Sequence, residues 1–366
     1  MSAMDDDPAI SRRPASAARE AGGIRAVRRR PGTRGPLRLA VLLTAVLTAP
    51  SVAVAGAGRA QLGGTSPTPP GTPATPSPGP ASFAVGLRVL RFVDTTRTIR
   101  LPDRRREPRT LVTYVRYPAL GAPTATDVRG AAPVRAGGPF PLVVFAHGFA
   151  VTPATYARLL QSWARAGYVV AAPVFPLENA NAPGGPDESD LANQPADVSF
   201  VISRMLAAAQ ASGGPLTGVI DPAHIAVAGQ SDGGETALAA AYSRNLRDPR
   251  IGAAVVLSGA EMSGVGGFDF HRGGPPLLAA QGTADTINEP KFTNAFFKLA
   301  RGPKYLLRLL GAGHLPPYTY EQPQLAIVER ATIAFLDGYL KLLPAALQRL
   351  PAIANVPRRS ALVADP

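Results

Sequence analysis

Six apolar runs, separated by segments with helical spacing, constrain the fold of this chain more than any other feature. Nearly every residue in each run is apolar, as a strand buried on both faces requires. The runs are 141–146, 168–173, 224–229, 253–258, 276–281 and 305–310, and the helical segments are 155–166, 196–209, 235–242, 289–300 and 325–342. Because strands that alternate with helices pair in parallel, the pattern predicts an α/β fold with a mostly parallel central sheet and helices on both faces.

Two earlier segments have a different pattern. Residues 85–92 and 111–117 alternate apolar and polar side chains, as strands with one exposed face do. Between them lies a short stretch, 98–101, of similar character. We therefore predict antiparallel strands at the N-terminal edge of the sheet.

The sequence divides into five predicted regions. They are a basic, disordered N-terminal region (1–36), an apolar segment (37–58), a proline-rich linker (59–82), the α/β domain (83–342) and a C-terminal tail (343–366). The many prolines between positions 67 and 80 favour an extended polyproline conformation and prevent the linker from forming a packed core.

The apolar segment has the layout of a secretory signal. A basic stretch precedes the apolar residues 39–49. After them comes Ala53-Val54-Ala55, a small-x-small sequence of the kind found at signal cleavage sites. The alternative is an uncleaved membrane anchor, although Arg38 and Pro50 suit a bilayer span poorly. Both interpretations predict an extracytoplasmic domain. The basic stretch is long, so we expect translation to begin near Val27.

Composition excludes several functional classes. The net charge is +13, but much of the excess lies in the arginine-rich segment 1–60, and residues 104–106 with Arg109 form the one basic cluster of the α/β domain. This distribution argues against a nucleic-acid partner. The chain has no cysteine, which excludes a thiol nucleophile and disulfides. It has no dinucleotide-binding motif after a strand and no metal-ligand cluster, so we predict neither cofactor nor metal.

A G-x-S-x-G motif lies between a buried strand and a helix. Residues 229–233 read Gly-Gln-Ser-Asp-Gly, directly after the run 224–229 and before the helical segment 235–242. In this context the serine lies on a tight strand-to-helix turn, where glycines remove side chains that would clash. We predict that Ser231 is a nucleophile. The alternative is a structural turn in which Ser231 or Asp232 caps the helix.

A serine nucleophile requires a base within hydrogen-bonding distance, and the base requires an orienting acid. His224 begins the strand that leads into the serine, His147 precedes the serine on another strand end, and His271 lies in a Gly/Pro-rich loop. On a sheet of this kind the order along the chain is serine, acid, histidine. His314 follows the last strand of the sheet, so we predict it as the base.

The acid is expected at the end of a strand between the serine and the histidine. Asp285 follows the run 276–281 and is the predicted acid, with Glu261 and Asp269 as rivals after the preceding run. The alternative role for Asp285 is to cap the helix that begins near Glu289.

Two backbone amides are predicted to form an oxyanion hole. One is the N–H of Asp232, the residue after the nucleophile, and the other is the N–H of Phe149, in the loop after the run 141–146. Gly148 permits a close approach of this loop. His147 is then expected to orient the loop and not to act as the base.

Taken together, these motifs resemble the α/β-hydrolase superfamily. The resemblance rests on residues 147–149, 229–234, 282–285 and 313–314, in this order along the chain, and covers about residues 83–342. It is nearest to small members without a cap domain: dienelactone-hydrolase-like proteins, cutinase-like polyester hydrolases and platelet-activating-factor acetylhydrolase-like lipases. The resemblance implies the α/β-hydrolase fold and a Ser231, Asp285, His314 triad, although many members carry histidine where this chain has Gln230.

The substrate pocket is predicted less directly. Five residues near the expected site are its candidates: Gln230, Met262, Phe268, Phe270 and Leu315. The aromatic residues are expected to line an acyl pocket, with ordinary loop packing as the alternative.

The predicted function is therefore a secreted or membrane-tethered serine hydrolase that cleaves carboxylic esters through an acyl-enzyme. The predicted partner is a small-molecule or lipid ester, with membrane or cell-wall association through the N-terminal segment. A serine peptidase or amidase on the same fold is the main alternative, because the same acid and base serve both reactions. A non-catalytic binding module is a further one.

Overall fold

The computed structural model of the chain describes residues 82–261, 265–270 and 273–366. These residues form one sheet of ten strands that carries helices on both faces. The predicted N-terminal region 1–36, the apolar segment 37–58 and residues 59–81 of the linker lie outside the described residues, so those assignments stay predictions.

The centre of the sheet is parallel, as the apolar runs predict. The strand order is β10-β9-β8-β7-β6-β4-β5-β2-β1-β3. Within the group β4 to β9, every pair of adjacent strands is parallel. The strands are β1 Ala84–Arg100, β2 Arg106–Ala119, β3 Val128–Arg129, β4 Phe140–Ala146, β5 Val169–Val174, β6 Ile220–Gln230, β7 Ile251–Leu257, β8 Leu277–Gly282, β9 Lys304–Leu309 and β10 Ser360–Asp365. The carboxyl ends of β4 to β9 meet at one edge, where ligands bind in such sheets.

Two apolar layers enclose the sheet. The helices are α1 Ala157–Arg165, α2 Gln194–Gln210, α3 Asp232–Tyr242, α4 Pro290–Leu299, α5 Gln324–Leu340 and α6 Pro344–Ala354. Every residue of β4 is buried: Leu142 and Val144 pack in the layer that includes α2 and α3, whereas Val143 and Phe145 pack against α1 and α5. Burial on both faces explains why the β4 sequence is continuously apolar.

Antiparallel strands flank the parallel centre at both edges. β1 and β2 form a long antiparallel pair, and β2 pairs antiparallel with β5, as the alternating pattern predicts. At the other edge, β10 pairs antiparallel with β9.

The predicted boundary at residue 342 is wrong, because the segment 343–366 is part of the folded domain and is not a tail. α6 buries Leu350 and Ala354, and Leu347 packs so tightly on α5 that a Cβ at Gly338 would lie 2.3 Å from its Cγ. The helix was hard to recognise because Pro351 interrupts its pattern. The edge strand β10 is mostly exposed, so it lacks the pattern of burial on both faces that marks β4 to β9.

Within the basic cluster of the α/β domain, Arg109 is committed to internal ion pairs. Arg109 is buried and donates to both carboxylate oxygens of Asp190 and of Asp197, at 2.6 to 2.8 Å. Burial alone would lower the pKa of Arg109, but the two carboxylates outweigh it and raise that pKa. This network joins β2 to α2 and to the 3-10 helix Glu188–Asn193, and so holds the long insertion after β5 against the sheet.

Candidate active site

Ser231 lies on a sharp turn between β6 and α3. Its backbone has φ 58° and ψ −122°, a conformation that costs roughly 1–3 kcal/mol for a residue other than glycine. The turn depends on its glycines: a Cβ at Gly229 would lie 1.9 Å from the carbonyl oxygen of Gly233, and a Cβ at Gly233 would lie 2.1 Å from that of Ala146. The strained turn places the serine side chain at the carboxyl edge of the sheet.

The structure places the three predicted triad residues in one hydrogen-bonded series. His314 Nε2 lies 2.9 Å from Ser231 Oγ, and His314 Nδ1 lies 2.8 Å from Asp285 Oδ2. Asp285 follows β8 and His314 follows β9, so adjacent parallel strands deliver the acid and the base to the same edge. The arrangement allows an imidazole to take a proton from the hydroxyl while the carboxylate fixes its tautomer.

The carboxylate of Asp285 is buried and held on both oxygens. Oδ1 accepts from the backbone N–H groups of Ile287 and Asn288 at 2.9 and 3.0 Å, and Oδ2 accepts from Gln281 Nε2 as well as from His314. Burial raises the pKa of this carboxyl, but the hydrogen bonds and the charge of His314 outweigh burial and hold the pKa below its usual value. Asp285 is therefore ionised at neutral pH.

The rival acids and bases do not join this series. The Asp269 carboxylate faces Arg244, 3.5 Å away, and its backbone N–H donates to Tyr242, at the far end of α3. His224 pairs with Asp221 at the start of β6. Glu261 has no contact with His314 among the hydrogen bonds of the described residues, and His271 lies outside them.

Gln230 is not a pocket-wall residue, which corrects the sequence interpretation. It is 1% exposed, its Nε2 donates to the backbone oxygen of His314 at 3.1 Å, and its Oε1 accepts from the Tyr156 hydroxyl at 2.6 Å. Gln230 therefore holds the histidine loop in place. Sequence reasoning missed Tyr156, because it belongs to the apolar stripe of a predicted helix and lies far from its partner along the chain.

The loop after β4 lies directly against the nucleophile. A Cβ at Gly148 would lie 3.2 Å from Ser231 Cβ, so glycine lets the loop approach this closely without displacing its neighbours. Among the described residues, no backbone acceptor takes the N–H of Phe149. The N–H of Asp232 is at the first turn of α3, where no intrahelical acceptor exists. Both predicted oxyanion donors are thus available beside Ser231.

His147 orients this loop, in keeping with its predicted role. The ring is fully buried; Nε2 accepts from the Phe175 N–H at 3.1 Å, so Nδ1 carries the proton and donates to the Gly148 carbonyl at 2.8 Å. The Gly148 carbonyl and the Phe149 N–H belong to the same trans peptide and point in opposite directions. The bond from His147 therefore sets the direction of the predicted oxyanion donor.

The burial of His147 predicts an acid-dependent loss of stability. Burial lowers the pKa of His147 to about 4, from 6.5, so the native state resists a proton that the unfolded chain accepts. The contribution of neutral His147 to the free energy of unfolding is complete above pH 6.5 and is lost as the pH falls toward 4. The total loss is about 3 kcal/mol, because each unit of pKa difference corresponds to about 1.36 kcal/mol. The free energy of unfolding in urea, measured at several pH values, tests this loss.

The matched control for this experiment is the partly exposed His224. His147→Asn is expected to flatten the decline of stability between pH 6.5 and 4, whereas His224→Asn is expected to keep most of it. A decline that is equally steep in the wild type and in His147→Asn would show that His147 does not cause it.

Comparisons with known proteins find one family model and a similar solved structure. A family model described as Chlorophyllase matches residues 119–261, a stretch that contains Phe149, Ser231 and Asp232 but neither Asp285 nor His314. A ferulic acid esterase from Streptomyces cinnamoneus is similar in structure, with 22% sequence identity and a TM-score of 0.55 over 74% of this chain and 94% of that chain. No curated protein matches the sequence.

The chain has the α/β-hydrolase fold. This confirms the predicted fold class. The two matches also support an esterase-type hydrolase at the level of the broad class.

Two aromatic residues do not form an acyl pocket in this α/β-hydrolase, contrary to the sequence interpretation. Phe270 is buried, and its ring packs 5.2 Å from that of Tyr242 and 5.9 Å from that of Phe268. Tyr242 is the last residue of α3, whereas Ser231 directly precedes the first. The two ends of a helix of this length lie about 16 Å apart, at about 1.5 Å per residue. These rings are therefore core packing at the far end of the helix.

The other pocket candidates have different outcomes. Leu315 is half-buried and follows His314 directly, so it stays a candidate for contact with substrate. Met262 lies outside the described residues, and its role stays a prediction.

A separate groove of about 1110 Å³ lies at the opposite end of the hydrolase sheet. Its lining includes Phe140 at the start of β4, Asp221 and His224 near the start of β6, and Lys341 after α5. Asp221 and Ser231 lie at opposite ends of β6. The neighbouring strand β4 covers the span from Asp221 to Gly229 with only Pro141 to Ala146, so Asp221 and Ser231 lie roughly 20 Å apart, at about 3.3 Å per residue. The groove therefore plays no part in the site.

The described ranges contain no group of three or more acidic or histidine side chains placed to hold a metal ion. Within the same ranges, none of the helices combines the length and the apolar character needed to cross a bilayer.

Proposed function

We propose that this protein is a serine hydrolase that cleaves carboxylic esters, with Ser231 as nucleophile, His314 as base and Asp285 as orienting acid. One observation carries the proposal: the His314 ring contacts both partners at once. Its Nε2 lies 2.9 Å from Ser231 Oγ, and its Nδ1 lies 2.8 Å from Asp285 Oδ2. An ionised acid, a histidine and a serine in this order constitute an activated nucleophile.

In the acylation step, Ser231 Oγ attacks the ester carbonyl while His314 Nε2 takes the hydroxyl proton. The oxygen of the tetrahedral intermediate accepts hydrogen bonds from the Phe149 and Asp232 N–H groups. The bond to the alcohol then breaks, and His314 gives its proton to the leaving alkoxide. The serine is left as an acyl ester.

Deacylation repeats the step with water. His314 takes a proton from water as the water oxygen attacks the acyl carbonyl, and the same two amides hold the oxyanion. The bond to Ser231 Oγ breaks, His314 returns the proton to the serine, and the carboxylic acid leaves. Asp285 stabilises the imidazolium in both halves and stays ionised.

Exposed apolar side chains on the loops that carry the site favour an apolar ester. Phe149 is 41% exposed, Ile287 66% and Tyr320 65%, and they follow β4, β8 and β9 respectively. Large apolar groups left exposed beside polar reactive groups are typical of binding surfaces. The names of the two matches, Chlorophyllase and ferulic acid esterase, add chlorophyll and ferulate esters to the candidate substrates.

The test is a series of p-nitrophenyl esters from acetate to palmitate on residues 82–366, beside methyl ferulate, chlorophyll and a p-nitroanilide of the best acyl group. We expect ester hydrolysis that Ser231→Ala abolishes. Hydrolysis of the anilide and not of the ester would favour an amidase. Full ester hydrolysis by Ser231→Ala would contradict the triad.

We also propose that the domain acts outside the cytoplasm. The support is the basic stretch, the apolar residues 39–49 and the small residues Ala53 and Ala55, which together have the layout of a cleavable export signal. N-terminal sequencing of the exported protein tests the proposal. A product that keeps residues 39–49 and is recovered with membranes would favour an anchor.

A further inference from the structure

A buried carboxyl group links the two loops that carry the oxyanion donors. Glu178 follows β5 and is 0% exposed. Its backbone oxygen accepts from the Ala150 N–H at 3.0 Å, one residue after Phe149. Its carboxyl group lies beside that of Asp232, and each carboxyl group shifts the pKa of the other. One residue thus contacts both halves of the oxyanion hole.

Two adjacent buried carboxyl groups can form a hydrogen bond only if one of them carries a proton. No N–H or hydroxyl group of the described residues donates to either carboxyl oxygen of Glu178, nor to Oδ2 of Asp232. The charged groups that act on the Glu178 carboxyl are all acidic: Asp232, Asp190 and Glu188. Two carboxylates in such a place cannot both ionise, so the pair holds one shared proton.

The proton belongs to Glu178. Its carboxyl is the more deeply buried of the two, and burial, with the bond to Asp232, raises its pKa far above the usual range. Burial also raises the pKa of Asp232, but the hydrogen bond from Glu178 and the nearby His314 favour its ionised form. The Tyr156 hydroxyl is a further titratable group near both, and burial raises its pKa, so it stays neutral.

We propose that Glu178 is a positioning residue of the oxyanion hole, which donates a hydrogen bond from its protonated carboxyl to Asp232 while its backbone oxygen anchors the loop of Phe149. The proposal rests on the proposed function, because it concerns the same site. The two donors come from different loops, and an oxyanion hole works only when both point at one atom. The retained proton also removes a second negative charge from the place where the oxyanion develops.

The test compares Glu178→Gln, Glu178→Leu and the control Glu188→Gln, whose carboxylate is exposed on the adjacent 3-10 helix. Glu178→Leu is expected to lower kcat by about 10- to 100-fold, with KM within about twofold, because a full oxyanion donor is worth about 10²–10³ in kcat. Glu178→Gln, which keeps a neutral donor, is expected to restore kcat to within about threefold. The control is expected to match the wild type.

A second measurement does not depend on activity. The infrared spectrum of the wild type at pH 7 is expected to contain the C=O stretch of a protonated carboxyl group, and Glu178→Gln is expected to lose it. Loss of kcat to the same extent in Glu178→Gln and Glu178→Leu, an unchanged kcat in both, or an unchanged infrared band in Glu178→Gln would each overturn the proposal. If Ser231→Ala keeps full activity, the proposed function fails, and the infrared result still decides the state of Glu178.

Discussion

Ser231→Ala is expected to lower kcat for the best p-nitrophenyl ester by about 10⁶-fold, the size of the loss when a triad nucleophile is removed from a serine hydrolase. Alanine leaves the turn intact, because the Cβ already occupies the position with φ 58°. It removes the hydroxyl that His314 Nε2 contacts at 2.9 Å. Steady-state kinetics measure the loss, and mass spectrometry of the wild type with a slow ester is expected to detect an acyl group on Ser231.

The matched control is Ser162→Ala. Ser162 lies on α1, and its hydroxyl donates to the Leu159 carbonyl in the same helix. This variant is expected to keep wild-type kcat and KM. An acyl group trapped on another serine, or a kcat loss below about 10³-fold in Ser231→Ala, would place the nucleophile elsewhere.

Much of this fold could be predicted from the sequence, because a strand that is buried on both faces has a continuous run of apolar residues. The six apolar runs match β4 to β9 to within a few positions at each end, apart from the longer start of β6. The prediction of Asp285 and His314 followed from the same signal, since the carboxyl ends of parallel strands fix where a short loop emerges. A turn that only glycine permits, at Gly229 and Gly233, fixed the place of Ser231 in the same way.

Contacts between distant segments left no such signal. The Tyr156 hydroxyl donates to Gln230, and the Glu178 carboxyl lies beside that of Asp232, and in both pairs the partners lie far apart along the chain. Tyr156 also fits a helix stripe and Glu178 a polar insertion, so the local pattern explains each residue without the site. The same limit accounts for Phe268 and Phe270. Their position after β7 suggested a pocket, but α3 runs about 16 Å away from the nucleophile before they pack on it.

Asp285→Asn is expected to lower kcat by about 10⁴-fold, with little change in KM, because it reverses the tautomer of His314. The backbone N–H groups of Ile287 and Asn288 donate to Oδ1, so the amide oxygen of asparagine must take that place. Its NH₂ group then faces His314 Nδ1 and donates to it. The imidazole proton moves to Nε2, so Nε2 can no longer accept the proton of the Ser231 hydroxyl. Steady-state kinetics on the best p-nitrophenyl ester measure the loss.

Asp269→Asn and Glu261→Gln are the controls, because these residues are the rival acids in the sequence. Both are expected to keep kcat within about threefold, since neither carboxylate takes part in the hydrogen bonds that join Asp285, His314 and Ser231. The comparison of kcat among these variants identifies the acid whichever residue it is. A large loss in Asp269→Asn with an active Asp285→Asn would assign the acid to the loop after β7, and the 2.8 Å contact with His314 would then be structural.

The loss in Asp285→Asn is expected to depend on pH. In the wild type, the carboxylate of Asp285 has a pKa below its usual value, so it stays ionised across the range in which esterases are assayed. In the variant, a high pH favours attack by hydroxide without help from His314, so the ratio of wild-type to variant kcat is expected to fall as the pH rises. A ratio that stays constant with pH would mean that the substitution disturbs binding geometry and leaves the imidazole tautomer unchanged.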